Sequence, residues 1–141
     1  ETIRTFYLFI GPKIVNSQKS DSLLSTIDIF PTILELCGIK INQKKIGSSF
    51  YDFLLGKQSS PNYKEFTFSE TGALHGPYTS PEKHNVFCVK TKDYKLMYNK
   101  DNDEWSLFNL LDDPKETKNI FATGVKAEKK LKNKLLNWIN R

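Results

Sequence analysis

Apolar and polar positions follow two different rhythms along this chain. Residues 86–91, 94–99 and 104–110 keep a period of two. That rhythm predicts three β-strands, because successive side chains of a strand point to opposite faces. Lys92-Asp93 and the stretch 100–103 supply the turns, so the strands form an antiparallel meander. Phe66 and Phe68 alternate with Thr67 and Ser69 and add a short strand upstream. Further on, Leu131, Leu135, Trp138 and Ile139 recur at helical spacing and predict a final helix from about Val125 to Asn140. Trp138 and Leu135 face the sheet in this reading, and Lys132 lies on the wet side.

The first part of the chain has a different pattern. Ile3–Ile10 is rich in β-branched and aromatic residues and reads as a strand buried on both faces, ended by Gly11-Pro12. Residues 25–38 predict a helix with Asp28 as its N-cap and Pro31 in the first turn. Phe30, Ile33, Leu34 and Cys37 line its apolar face, and Gly38 closes it in a left-handed conformation. A second, short helix starts at Ser48 or Ser49 and ends at Gly56, with Phe50, Phe53 and Leu54 inward. Residues 57–64 read as a linker. After the meander, Asp113, Pro114 and Glu116 have the spacing of a capping box for one helical turn.

Composition sets the outer limits. The chain has 141 residues, 38% of them apolar and 13% aromatic, enough for a packed core. Its longest apolar run, Phe6–Ile10, is far short of the roughly 20 residues of a transmembrane helix, so no membrane-spanning segment is expected. Cysteines at 37 and 88 are too few for a disulfide scaffold; both read as core thiols, and they suit a reducing compartment. The chain opens on Glu1 with a strand already starting, and it reads as a piece of something longer.

The net charge of +5 is local: residues 1–124 carry equal numbers of acids and bases, and the excess falls in 125–141. These lysines read as the solvated face of a helix, near a C-terminus that favours cations. No aromatic residues alternate with them to stack on bases, so no nucleic acid partner is expected.

Candidate chemistry is sparse. Asp101-Asn102-Asp103-Glu104 begins like a calcium loop, but Trp105 and Ser106 follow where a ligand and a glycine are needed, and it reads as a hairpin turn. There is no glycine-rich phosphate loop and no Gly-x-Ser-x-Gly elbow. The segment from Gly72 to Asn85 is long for a strand connection and holds two glycines, two prolines and both histidines. Glu70, His75 and His84 are therefore the candidates for facing a substrate, as hydrogen-bond partners rather than metal ligands. No complete catalytic set lies within the chain.

Three stretches together resemble the C-terminal third of a sulfatase, of the alkaline-phosphatase-like superfamily. They are the buried strand leading to Asp28-x-x-Pro31-Thr32-x-x-x-x-x-Gly38; Val89-Lys90-Thr91-Lys92-Asp93-Tyr94-Lys95-Leu96-Met97-Tyr98; and Glu104-Trp105-Ser106-Leu107-Phe108-Asn109-Leu110 followed by Asp113-Pro114-x-Glu116-x-x-Asn119. The resemblance implies an α/β fold in which residues 1–60 end the large catalytic domain. Residues 61–141 then form a small antiparallel sheet of three or four strands packed by the terminal helix. It also implies hydrolysis of a sulfate ester by a formylglycine nucleophile beside a divalent cation, usually calcium. Both groups belong upstream, in the catalytic portion of the same chain. Neither Cys37-Gly38 nor Cys88-Val89 fits the Cys/Ser-x-Pro/Ala-x-Arg motif from which formylglycine is made, and the 141 residues alone are expected to be inactive. Two rivals remain at this point. One is a phosphoesterase or phosphotransferase of the same superfamily; the other is a non-catalytic module binding through the basic terminal helix.

Overall fold

The computed structural model describes residues 5–39, 47–61, 64–71 and 85–141. The chain divides into two compact units, residues 2–65 and residues 66–141.

In the first unit, residues 5–10 join no sheet. The expected strand does not form there, because a strand needs a hydrogen-bonded neighbour and no described residue provides one. Its two-residue period persists as alternating exposure: Phe6, Leu8 and Ile10 are exposed, while Tyr7 and Phe9 are half-buried. A 3-10 turn, Thr26–Asp28, leads into α1, Ile29–Leu36. Gly38 ends it at φ +74°, and the Ile39 N–H reaches back to the Leu34 carbonyl at 2.9 Å. Only a residue tolerant of the left-handed region suits that closure.

The buried face of α1 is not the expected one. Phe30 and Ile33 are 64% and 46% exposed, and Cys37 is exposed as well. The face turned inward carries Asp28, Thr32 and Glu35, at i, i+4 and i+7. Thr32 Oγ1 donates to the Asp28 carbonyl at 2.6 Å and accepts the Phe50 N–H at 3.1 Å. Glu35 Oε2 accepts from Ser49 Oγ at 2.6 Å. The reason is physical: residues 47–50 have irregular backbone, whose buried N–H groups must find acceptors. The polar stripe of α1 supplies them, so it wins the inner position over the apolar stripe.

A short α2, Tyr51–Leu54, follows and places Phe50, Phe53 and Leu54 in a core with Phe9, Ile14, Leu24 and Leu36. The Phe9 and Phe50 rings meet edge to face at 5.3 Å. Gly47 lies against the backbone before α1: a Cβ there would come 2.2 Å from the Ile27 carbonyl oxygen.

The second unit is a four-stranded antiparallel sheet in the order β1-β2-β3-β4. The strands are β1, Thr67–Thr71; β2, Val86–Lys90; β3, Tyr94–Asn99; and β4, Glu104–Asn109. The helix α3, Lys126–Ile139, covers one face. Phe87, Val89, Leu96 and Leu107 from the sheet and Leu131 and Leu135 from α3 form the core. Trp138 stacks on Phe68 at 5.2 Å and meets Phe87 edge-on at 6.5 Å. Strand period and helix stripe converge here on one interface, as the sequence pattern predicts.

Beyond β4 the chain does not form the expected helical turn at 113–116. Asp113 does accept main-chain N–H groups, from Lys118 at 2.8 Å. Glu116, however, adopts φ +57°, which no helix can continue, and its carboxylate pairs with Lys95 instead. Asn119 then lies along the outer edge of β4. Its Oδ1 accepts the Leu107 N–H at 2.9 Å, its Nδ2 donates to the Trp105 carbonyl at 3.2 Å, and the Ile120 N–H donates to the Leu107 carbonyl at 2.8 Å.

Candidate functional site

Of the three residues proposed from sequence to face a substrate, one lies among the described residues. Glu70 is in β1, opposite Phe87 of β2, and its side chain is exposed. His75 and His84 lie outside the described residues. Among the described residues no three His, Cys, Asp or Glu side chains come together as a metal site would require.

Two buried polar clusters stand out, one in each unit, and both were missed at the level of sequence. The first centres on Asp28, which is fully buried. Its carboxylate does not cap α1. It accepts the Ser25 N–H at 2.9 Å, the Ser48 N–H at 2.7 Å and the Lys64 ammonium at 2.5 Å. Asp28 therefore joins the turn before α1, the segment after residue 47 and the end of the 57–64 stretch. Its charge, together with burial as the larger cause, raises the Tyr7 phenol above its usual range. The position of Asp28 in the sequence motif was visible, but Lys64 was not, since a lysine in a polar stretch carries no sign of its partner.

The second cluster lies on the sheet face away from α3. Lys95 is buried and its ammonium pairs with Glu116. Cys88 sits beside them. Burial pushes its thiol up to about 11, against the opposing pull of Lys95 and of a hydrogen bond from Ser69. A thiol so raised stays protonated at neutral pH and is a poor nucleophile. Neither cluster, then, offers an activated nucleophile or a metal cage.

A third arrangement is aromatic. Tyr98 and Trp105, partners across β3 and β4, stack with centroids 4.2 Å apart, and Phe121 continues the stack at 5.8 Å from Trp105. The Lys132 ammonium lies 4.5 Å from the Trp105 ring centre. Lys132 is thus half-buried over rings rather than on the wet side of α3.

The family model for the C-terminal region of N-sulphoglucosamine sulphohydrolase matches residues 1–141. The chain is 29% identical over 125 residues to an N-acetylglucosamine-6-O-sulfatase of Bacteroides thetaiotaomicron, covering 84% of this chain and 21% of that protein. It is 30% identical over 141 residues to arylsulfatase K of Bos taurus, covering 94% of this chain and 25% of that one. Among solved structures it resembles a 2-O GAG sulfatase with a TM-score of 0.75 and 26% identity, over 93% of this chain and 28% of the other. A second, solved with its substrate D-glucosamine-2-N,6-O-disulfate, matches with a TM-score of 0.62 and 25% identity, over 78% of this chain and 22% of the other. The chain therefore spans about a quarter of the length of the relatives it matches.

Proposed function

Because the chain belongs to the N-sulphoglucosamine sulphohydrolase C-terminal family, we propose that it serves a hydrolase that cleaves sulfate esters from sulfated sugars. The observation that carries this reading is the match across 93% of the chain to a 2-O GAG sulfatase. Three of the proteins named above act, by their descriptions, on sulfated glucosamine or glycosaminoglycan. A sulfate ester on an amino sugar or its neighbour is accordingly the proposed substrate class.

The family chemistry calls for a divalent cation, calcium by preference, and a formylglycine. The residues described here do not fit either group: there is no metal-ligating cluster among them, and neither cysteine stands in the required motif. Both groups are assigned to an upstream catalytic portion of the same protein. In this proposal residues 1–60 complete that catalytic domain and 61–141 form the smaller subdomain. The exposed stripe of Ile27, Phe30 and Ile33 on the α1 side is the surface that the upstream portion would cover, since apolar patches of this kind are seldom left in water. Glu70, His75 and His84 remain the proposed substrate-side residues.

The test is made on the protein with its upstream portion, offered glucosamine 6-sulfate and the matching phosphate ester. Sulfate release in preference to phosphate release is expected. His75→Ala and His84→Ala should each lower kcat/KM at least about tenfold with Tm unchanged. Wild-type kinetics in both variants would remove the loop from the site. Preferential phosphate release would replace the reading with a phosphoesterase. The 141-residue chain alone should release no sulfate above a buffer blank.

A further inference from the structure

We propose that residues 5–10 are an interior strand of a sheet whose other strands belong to the upstream portion of the same protein. The inference rests on the sulfate-ester reading above for the existence of that portion, and it names the joint that holds the two together.

The observation is a segment with the sequence of a strand and none of a strand's partners. Thr5-Phe6-Tyr7-Leu8-Phe9-Ile10 is made of β-branched and aromatic residues, Leu8 excepted. It holds no proline, so every residue brings a backbone donor as well as an acceptor. Yet no backbone hydrogen bond joins residues 5–10 to another described residue. One face of the segment is seated: Phe9 meets Phe50 edge to face at 5.3 Å, and Tyr7 is half-buried. The other face is bare, with Phe6, Leu8 and Ile10 exposed to 84%, 74% and 85%.

Water suits such a segment poorly. Nine large apolar residues are exposed among the described residues; eight of them fall within residues 6–39, and Leu111 alone lies in the second unit. The uncovered surface is therefore a property of the first unit. Three of the eight alternate along residues 5–10, as the side chains of one strand face do. An apolar run without alternating polar positions fits a strand covered on both faces. Covered in that way, its backbone groups lose water, and both edges must be paired.

The relatives say what supplies the missing strands. The matching family model describes a C-terminal region, and this chain covers 21%, 25% and 28% of three of the proteins it matches. The rest of such a protein is large enough to provide a strand at each edge and a layer over Phe6, Leu8 and Ile10. A second copy of this chain fits less well. A two-fold axis pairs the segment with itself along one edge and leaves the other edge bare.

The experiment is residue-resolved amide hydrogen exchange on the protein with its upstream portion, over a dilution series. Successive N–H groups of a strand point to opposite edges, so the pattern of protection tells how many edges are paired. The amides of Phe6 through Ile10 should all exchange at least about 1,000-fold more slowly than in an unfolded chain, at every concentration. Protection of alternate amides only would place the segment at a sheet margin and overturn the interior position. Protection lost on dilution would make a second copy the partner and overturn the upstream one. Free exchange throughout would overturn the strand itself. Leu8→Asp sets a charge on the face that is bare in this chain, and it should lower the Tm of the whole protein by at least about 5 °C. A wild-type Tm in that variant would leave the face in water and overturn its burial. Failure of the variant to fold is the same result in stronger form, and exchange in the wild type decides independently of it. None of these readouts needs turnover. Full protection with preferential phosphate release would keep the strand and replace the activity. Sulfate release with free exchange would remove the strand and keep the activity.

Discussion

Asp28 and Lys64 lie 36 residues apart and meet at 2.5 Å, the carboxylate fully buried and the ammonium mostly so. The pair is the knot of the first unit, because the same carboxylate also accepts the Ser25 and Ser48 N–H groups. Removing the cation leaves a buried charge held, among the described residues, by two N–H donors. Lys64→Ala should therefore cost about 2–4 kcal/mol in a urea melt. An effect below about 0.5 kcal/mol, ordinary for a surface lysine, would show that the pair is solvated.

Gly47 and Gly38 both have positive φ, but only one is crowded. A Cβ at Gly47 would meet the Ile27 carbonyl oxygen at 2.2 Å, whereas nothing lies within 4 Å of one at Gly38. Gly38→Ala should cost about 1 kcal/mol, from the conformational preference alone. Gly47→Ala should cost clearly more, because backbone must move as well. Equal losses for the two variants in denaturant would refute the close approach at Gly47.

Leu135 is fully buried between α3 and the sheet, Lys132 leans over Trp105, and Lys129 is exposed. These placements predict a graded series on truncation to alanine. Leu135→Ala should lose about 2–5 kcal/mol. Lys132→Ala should lose about 0.5–1 kcal/mol from its ring contact, and Lys129→Ala less than about 0.5 kcal/mol. Thermal or urea melts of the three variants check the order, and a Lys132 effect as small as that of Lys129 would undo the ring contact.

Cys88 gives a pH dependence with a definite sign. Its thiol is raised by burial from 9.0 to about 11, so the folded chain holds this proton at a pH where the unfolded chain has released it. The stabilisation from that proton is fully present below about 9 and is lost as pH rises through about 11. Stability of the wild type should fall more steeply between those values than that of Cys88→Ala, measured as Tm at each pH. Parallel curves would mean that the thiol is hydrated. At neutral pH, exposed Cys37 should react with a thiol reagent well before Cys88 does.

How much of this could be read from the residues differs sharply between the two units. The meander and α3 were readable because a period of two and a helical stripe each name one buried face, and the two faces match in Val89, Leu96, Leu107, Leu131 and Leu135. In α1 the same reasoning missed the face that is turned inward within this unit. Apolar Phe30, Ile33 and Cys37 and polar Asp28, Thr32 and Glu35 form two stripes on one helix, and pattern alone cannot weigh the backbone N–H groups of Ser48 and Phe50 and the Ser49 hydroxyl that bond to the second. Lys95 was hidden for a related reason: at its place in a strand it looks like an outward residue. Its partner Glu116 is reached only through a left-handed turn at a residue that is not glycine. Of the candidate site, Glu70 takes an exposed position in β1, and His75 and His84 lie outside the described residues.

The fringe that Asn119 and Ile120 make along β4 has a consequence for association. Among the described residues the margins of the sheet are β1 and β4, and the hydrogen-bonding groups of Leu107 and Trp105 on the second are already taken by the chain's own Asn119 and Ile120. A strand from another molecule arriving at that margin would first have to displace them. Lateral growth of the meander into an extended ribbon, by strand exchange or by stacking of partly folded copies, is thereby opposed at the β4 margin.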